Sequence, residues 1–204
     1  MNTRLDRAPT QGTLIHRFQS VTEPLDWVRL FPAAQPVELE IGSGDGGFLY
    51  RLACADPGRN FVGVERLLGR ARKLDRRARA AGLANLRLLR IEAGYLLRYL
   101  VPAESLQVVH INFPDPWPKA RHARHRLVSQ GFPATLHRLL APGGVVYLRT
   151  DYGPYALQMR EVFGECAQFA AVETPAALAG ILTEFEAAFN AQGKATFHAA
   201  YQRD

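Results

Sequence analysis

The chain has 204 residues, 48% of them hydrophobic and 22% charged, which excludes a disordered or low-complexity polypeptide and suits one domain, 1–204, with a full core. The formal charge of +6 points toward a polyanionic partner without naming one. Cys54 and Cys166 stand in no metal or redox spacing, the six histidines pair with no cysteine or carboxylate at ligand spacing, and no apolar run reaches the length of a membrane span, so neither a metal nor a membrane is expected.

Residues 1–20 read as a mobile polar arm whose Arg4, Arg7, His16 and Arg17 face solvent or a phosphate backbone. Met1–Thr10 lacks the apolar core of a signal peptide, which makes the cytoplasm the expected location. Pro24–Phe31 carries apolar residues at helical spacing and predicts a short packing helix, stopped by Pro32 and Pro36. Val37–Ile41 alternates apolar and acidic residues, as a strand does, and runs into Gly42-Ser-Gly-Asp-Gly-Gly47; Phe48, Leu49, Leu52 and Ala53 then begin a helix.

A glycine-rich turn between strand and helix lets a ligand approach the backbone, and two cofactor classes use that design. Dinucleotide folds want Gly-x-Gly-x-x-Gly with pyrophosphate over the helix start. Here the spacing is Gly-x-Gly-x-Gly over Gly42, Gly44 and Gly46, with Glu40 two residues ahead. Acids around the turn repel pyrophosphate but accept hydrogen bonds from an ammonium group, and S-adenosylmethionine carries an ammonium and a sulfonium and no phosphate.

Asn60–Val64 is the next predicted strand, and Glu65 at its end lies where an acid reaches ribose hydroxyls in nucleotide-binding βαβ units. Leu67, Ala71, Leu74, Ala78 and Ala81 mark the core face of a helix that Gly82 stops. Its other face carries Arg66, Arg70, Arg72, Lys73, Arg76, Arg77 and Arg79, with Asp75 as the one acid to offset them, a candidate phosphate track or a solvated surface. Leu86–Ile91 predicts a third strand, with Glu92 at its end. Glu40, Glu65 and Glu92 thus repeat one feature: an acid at successive strand ends, near one crevice.

Leu106–Asn112 predicts a fourth, buried strand. Phe113-Pro-Asp-Pro-Trp-Pro-Lys119 follows it, and three prolines in five residues force a rigid, open loop. That loop holds Asp115 and Trp117, and Lys119, Arg121, Arg124 and Arg126 flank it with His122 and His125 between them. Acid, aromatic and cationic flank together suit a flat polar ring carried on a polyanion. Beyond it the patterns predict a helix over 127–140, a strand over Val145–Thr150 that delivers Asp151, a helix near 154–163, an indistinct stretch from Pro175 to Leu182, a polar-aromatic knot over Thr183–Glu186, and a last strand over Ala195–Tyr201.

With Asn112-Phe-Pro-Asp-Pro-Trp-Pro-Lys119, then Arg121 and His122, the sequence resembles the bacterial tRNA (guanine-N7)-methyltransferases, from about Val37 to Thr150 and less closely through Glu186. The resemblance implies an α/β fold: a Rossmann-like class I methyltransferase, with a mostly parallel twisted sheet, one antiparallel strand and helices on both faces. It implies that Glu40, Glu65, Glu92 and Asp115 hold S-adenosylmethionine with the Gly42 and Gly44 turn. By the same resemblance Asp115 is the catalytic acid, and Lys119, Asp151, Thr183, Glu184, Phe185 and Glu186 meet the substrate. The implied activity is methylation of a guanosine N7 in the variable loop of tRNA, with S-adenosylhomocysteine as the other product. Arg121, Arg124 and Arg126 are then expected on RNA phosphates. The implied partner is tRNA, with no obligate protein partner.

Departures from the family pattern are Glu92 where Asp is usual, Glu184 in place of a lysine, Ala187-Ala188 where an arginine is common, and a sparse basic arm. The competing readings are a methyltransferase acting on another RNA or a small substrate, a non-catalytic RNA-binding relative, and a nicotinamide-dependent oxidoreductase, which the glycine spacing and the acids disfavour.

Overall fold

The computed structural model describes residues 12–204; Arg4 and Arg7 of the expected arm lie outside the described residues. β1 (Val37–Ile41), β2 (Asn60–Val64), β3 (Leu86–Leu89), β4 (Leu106–Asn112) and β5 (Leu140–Thr150) run parallel. β7 (Phe197–Arg203) enters antiparallel between β5 and β6 (Phe169–Val172). The sheet order is β3-β2-β1-β4-β5-β7-β6, so the expected fold class stands. The helices are α1 (Trp27–Leu30), α2 (Gly47–Ala55), α3 (Leu68–Ala80), α4 (Ala93–Tyr95) continued by a π-helical turn (Leu96–Leu100), a 3-10 segment (Ala120–His125), α5 (Phe132–Leu139), α6 (Gly153–Gly164), α7 (Ala176–Ala179) and α8 (Glu184–Asn190).

All five positions of β1 are buried, so its apolar–acidic alternation separates two covered faces rather than a dry and a wet one. Leu39 and Ile41 join Val62, Val109, Ile111, Val146 and Leu148 in the larger core, each such side chain contributing about 1.5–3 kcal/mol on burial. On the opposite face a smaller core of Leu49, Phe61, Leu74, Ala78, Leu86 and Leu88 lies toward the β2–β3 side. The centre of that second face is polar. Glu38 meets His110 (2.8 Å) and Arg59 (3.0 Å), Glu40 accepts from Asn112 (2.9 Å), and Arg149 meets Glu186 (2.8 Å). Burial tolerates such groups because each has a partner.

Several elements differ from the sequence expectation. The described end of the arm is docked: Leu14 is buried, Ile15 bridges Leu88, and the Leu14 N–H donates to Asp75 at 2.6 Å. Leu67, expected on the core face of α3, is 54% exposed. The helix expected over 127–140 starts only at Phe132, after Gly131 with φ of +86° and with Pro133 in its first turn. Val128 instead receives its bonds from α6, donating to the Tyr155 hydroxyl and accepting from Gln158. Strand β5 begins at Leu140, five residues early, with a register shift against β4. The sequence pattern did not mark β6, because it is an edge strand with Ala170, Ala171 and Val172 exposed and no apolar period to read. No described helix is long and apolar enough to cross a membrane.

Candidate active site

The carboxyl ends of β1, β2, β3 and β4 open onto a cavity of about 970 Å³. It lies where strand order reverses between β1 and β4, the usual ligand crevice of an open α/β sheet. Glu40, Gly42, Gly44, Glu65, Glu92, Asp115, Thr183, Glu184 and Phe185 all line it. Residues predicted at five separate stretches of the chain are thereby brought together.

The turn after β1 takes left-handed backbone at Gly42, Gly44 and Gly46, with φ of +76°, +55° and +74°, which side chains rarely adopt. A β-carbon on Gly46 would also stand 2.2 Å from Leu74 of α3. Glu65 is locked across this turn: one carboxylate oxygen accepts from the Gly44 N–H (3.0 Å), the other from the Leu67 N–H (2.7 Å). Glu92 caps α4, accepting from the Gly94 and Tyr95 N–H groups at 2.8 and 2.7 Å.

Glu40 is 2% exposed; Asn112 Nδ2 donates to its Oε1, and its Oε2 has no partner. Burial pushes its carboxyl up to about 8, against the pull of the Asn112 hydrogen bond and of Arg149 and Arg51. A buried, unpartnered carboxyl oxygen on a cavity wall is suited to an ammonium donor. Asp45, Glu65 and Glu184 line the same turn, and Glu184 Oε1 lies 3.1 Å from where a β-carbon on Gly47, the first residue of α2, would stand. A carboxylate thus occupies the helix start that pyrophosphate takes in dinucleotide folds. These residues fit S-adenosylmethionine and not NAD.

The raised Glu40 value has a measurable consequence. Between pH 4.5 and 8 the folded, ligand-free chain keeps a proton that the unfolded chain has lost, so this residue's contribution to stability declines as pH rises through that window. A cation seated on Glu40 ionises it. Binding of S-adenosylmethionine at pH 7 is therefore expected to release about one proton, read by calorimetry in buffers of different ionisation enthalpy. Glu40→Gln abolishes the release; an unchanged proton count in that variant assigns it to another group.

The Asp115 loop is bent at two points. Prolines fix φ at 114, 116 and 118, and the turning falls on Phe113 (φ +50°) and Trp117 (φ +42°), each costing about 1–3 kcal/mol. Arg126 holds the loop there. Its Nε donates to the Pro116 carbonyl (2.8 Å), Nη2 to the Trp117 carbonyl (3.4 Å) and Nη1 to Gln158 (2.5 Å), while the guanidinium lies 5.0 Å from the Tyr155 ring centre. Arg126, expected on an RNA phosphate, is half-buried and clamps the carboxylate-bearing loop. Trp117 packs near His125 and His122, with ring centres 5.2 and 5.9 Å away, and Trp117 and His125 both border the cavity.

Arg121 and Arg124 are exposed and lack an acidic partner among the described residues; Lys119 is exposed beyond Trp117, and Asp151 is half-buried at the end of β5. None of these four lines the cavity. Glu186 is also outside it. At 2% exposure it bonds Arg149, closes a capping box with Thr183 and approaches His198 at 3.4 Å. Its expected contact with substrate gives way to a structural one, because every face of its carboxylate is covered. Sequence reasoning passed over Asn112 as a site residue and Arg149 altogether. The signal for Arg149 was present: a lone cation in the otherwise apolar run Val145–Thr150 calls for a buried carboxylate.

The family model described as "Putative methyltransferase" matches residues 34–199. The tRNA (guanine-N(7)-)-methyltransferase of Geobacter metallireducens is 35% identical over 188 residues, 90% of this chain and 89% of that protein. That of Sodalis glossinidius is 39% identical over 169 residues, 80% of this chain and 71% of that protein. Among solved structures the 16S rRNA methyltransferase KamB superposes with a TM-score of 0.64 at 17% identity, covering 87% of this chain and 92% of that one, a likeness of fold alone. With the family model spanning most of the chain and these relatives matched over four-fifths of it or more, the protein belongs to the tRNA (guanine-N7)-methyltransferase family.

Proposed function

We propose that the protein methylates N7 of a guanosine in the variable loop of tRNA in the cytoplasm, one domain holding both donor and acceptor. The observation that carries this reading is the exposed Asp115 carboxylate, held by a clamped loop on the wall of an acid-lined crevice. When bound, S-adenosylmethionine supplies a methyl group made electrophilic by its sulfonium, and S-adenosylhomocysteine is left. Glu40 offers its open oxygen to the ammonium, Glu65 and Glu92 border the donor's sugar and base, and Gly42 and Gly44 leave room for them.

Guanine N7 has an in-plane lone pair and no proton, so no base is needed to make it a nucleophile. The tasks left to the chain are alignment and charge. Asp115 accepts from the N1–H and N2–H₂ edge of the guanine, which orients N7, and its negative charge offsets the positive charge that grows on the ring. Phe113, Trp117, Leu127 and Phe185 give the cavity apolar walls that exclude water, and Thr183 and Glu184 close it from α8. Lys119, Arg121 and Arg124 hold phosphates around the extruded nucleotide, with Asp151 beside them.

The test is transfer of labelled methyl to bulk tRNA by the full chain, followed by cleavage at 7-methylguanosine. Label at one variable-loop position is the expected result. Label in RNA that resists cleavage would show a different nucleophile, and absence of transfer would leave a non-catalytic RNA-binding protein.

A further inference from the structure

Helix α3 carries the densest charge in the molecule, and folding makes it more one-sided than the sequence implies. Asp75, the single acid of that helix, is turned inward: it accepts from the Leu14 N–H at 2.6 Å and from the Thr13 hydroxyl at 3.2 Å. The docked N-terminal segment thus removes it from the exposed face. Lys73 spends its charge on Asp45 at 3.1 Å, and Arg77 lies over the Tyr50 ring at 4.0 Å. Arg66, Arg70, Arg72 and Arg76 are exposed and have no acidic partner among the described residues.

The placement of these four matters as much as their number. Arg66 and Arg70 are part of the cavity wall. Arg66 precedes α3 and Arg70 lies in its first turn, while Arg72 and Arg76, one turn apart, share the other flank of its exposed face. The sheet order sets β2, which leads into α3, on one side of β1, and β4, which leads into the Asp115 loop, on the other. Unpaired cations therefore flank the crevice on both sides: Arg121 and Arg124 beyond the Asp115 loop, and α3 across from them.

We propose that the exposed face of α3 is a second binding surface for the phosphate backbone of the same tRNA, continuous with the cavity mouth, so that the strand carrying the target guanosine is held on both flanks. This rests on the tRNA reading above. Unpaired guanidiniums at the cavity wall and on the outward side of the helix that leads from it recognise a polyanion by charge and by repeated hydrogen bonding, without reading sequence.

The experiment compares the wild type with Arg72→Gln/Arg76→Gln, both residues lying outside the cavity, and with a charge-matched control, Arg98→Gln/Arg160→Gln, on exposed positions of other elements. Binding of tRNA is measured across a salt series, beside S-adenosylmethionine affinity and turnover at saturating tRNA. Loss of two phosphate contacts should flatten the log–log salt dependence by about 1.4–1.8 and weaken binding roughly 10–30-fold at 0.15 M salt. Donor affinity and saturated turnover should stay at wild-type levels, and the control should change far less. An α3 variant with wild-type slope and affinity, or a control that loses as much, overturns the proposal and leaves α3 a solvated face. If the wild type itself neither binds nor methylates tRNA, the functional reading fails first, an outcome distinct from the failure of α3 alone.

Discussion

Asp115→Asn is expected to lower single-turnover methyl transfer on the order of 10²–10³-fold, the usual effect of losing one preorganised electrostatic contact. The substitution keeps the size of the side chain but removes its charge and turns one acceptor into a donor facing the guanine N–H groups. The loop itself should stay in place, because its bends at Phe113 and Trp117 are held by Arg126 through backbone carbonyls and not by Asp115. Affinity for S-adenosylmethionine should largely survive, since the carboxyls proposed to hold it, Glu40 and Glu65, are unchanged. The comparison is made with donor and tRNA saturating, so that a fall reports the chemical step. Turnover near the wild-type rate would reduce Asp115 to a turn residue of the proline loop.

The largest expected loss of stability comes from the centre of the sheet. Arg149 is 1% exposed and donates to Glu186 and to the carbonyls of Leu178 and Ile181. Arg149→Ala strands the Glu186 carboxylate in a dry site and leaves both carbonyls without their donor. Removing one member of a buried pair costs about 3–5 kcal/mol, and here it also frees the segment that brings Thr183, Glu184 and Phe185 to the cavity. Urea denaturation should show the loss, and Arg149→Met/Glu186→Gln should recover much of it by removing both charges. If Arg149→Ala unfolds within about 1 kcal/mol of wild type, the pair behaves as an exposed one and the segment is anchored by other contacts.

The sequence by itself determined the repeating frame: β1 with its glycine turn, the acids closing β1, β2 and β3, helix α6, and the last strand. Each is a local pattern, a period of two or 3.6 residues or a turn that only glycine makes, so neighbouring residues suffice to specify it. The proline loop and Asp115 were legible for the same reason. What only the tertiary structure decided concerns partners distant in the chain. Glu40 reads as an ordinary strand acid until burial and Asn112, 72 residues away, make it an open, largely protonated acceptor. Arg126 reads as one more cation beside Arg121 and Arg124 until Gln158 and Tyr155 of α6 turn it into a clamp. Glu186 reads as a substrate contact until Arg149 buries it, and Asp75 reads as a surface acid until Leu14 docks against it. A charged side chain has no intrinsic direction along the chain; its role is set by the dielectric around it and by the one group within 3 Å, and both are products of packing.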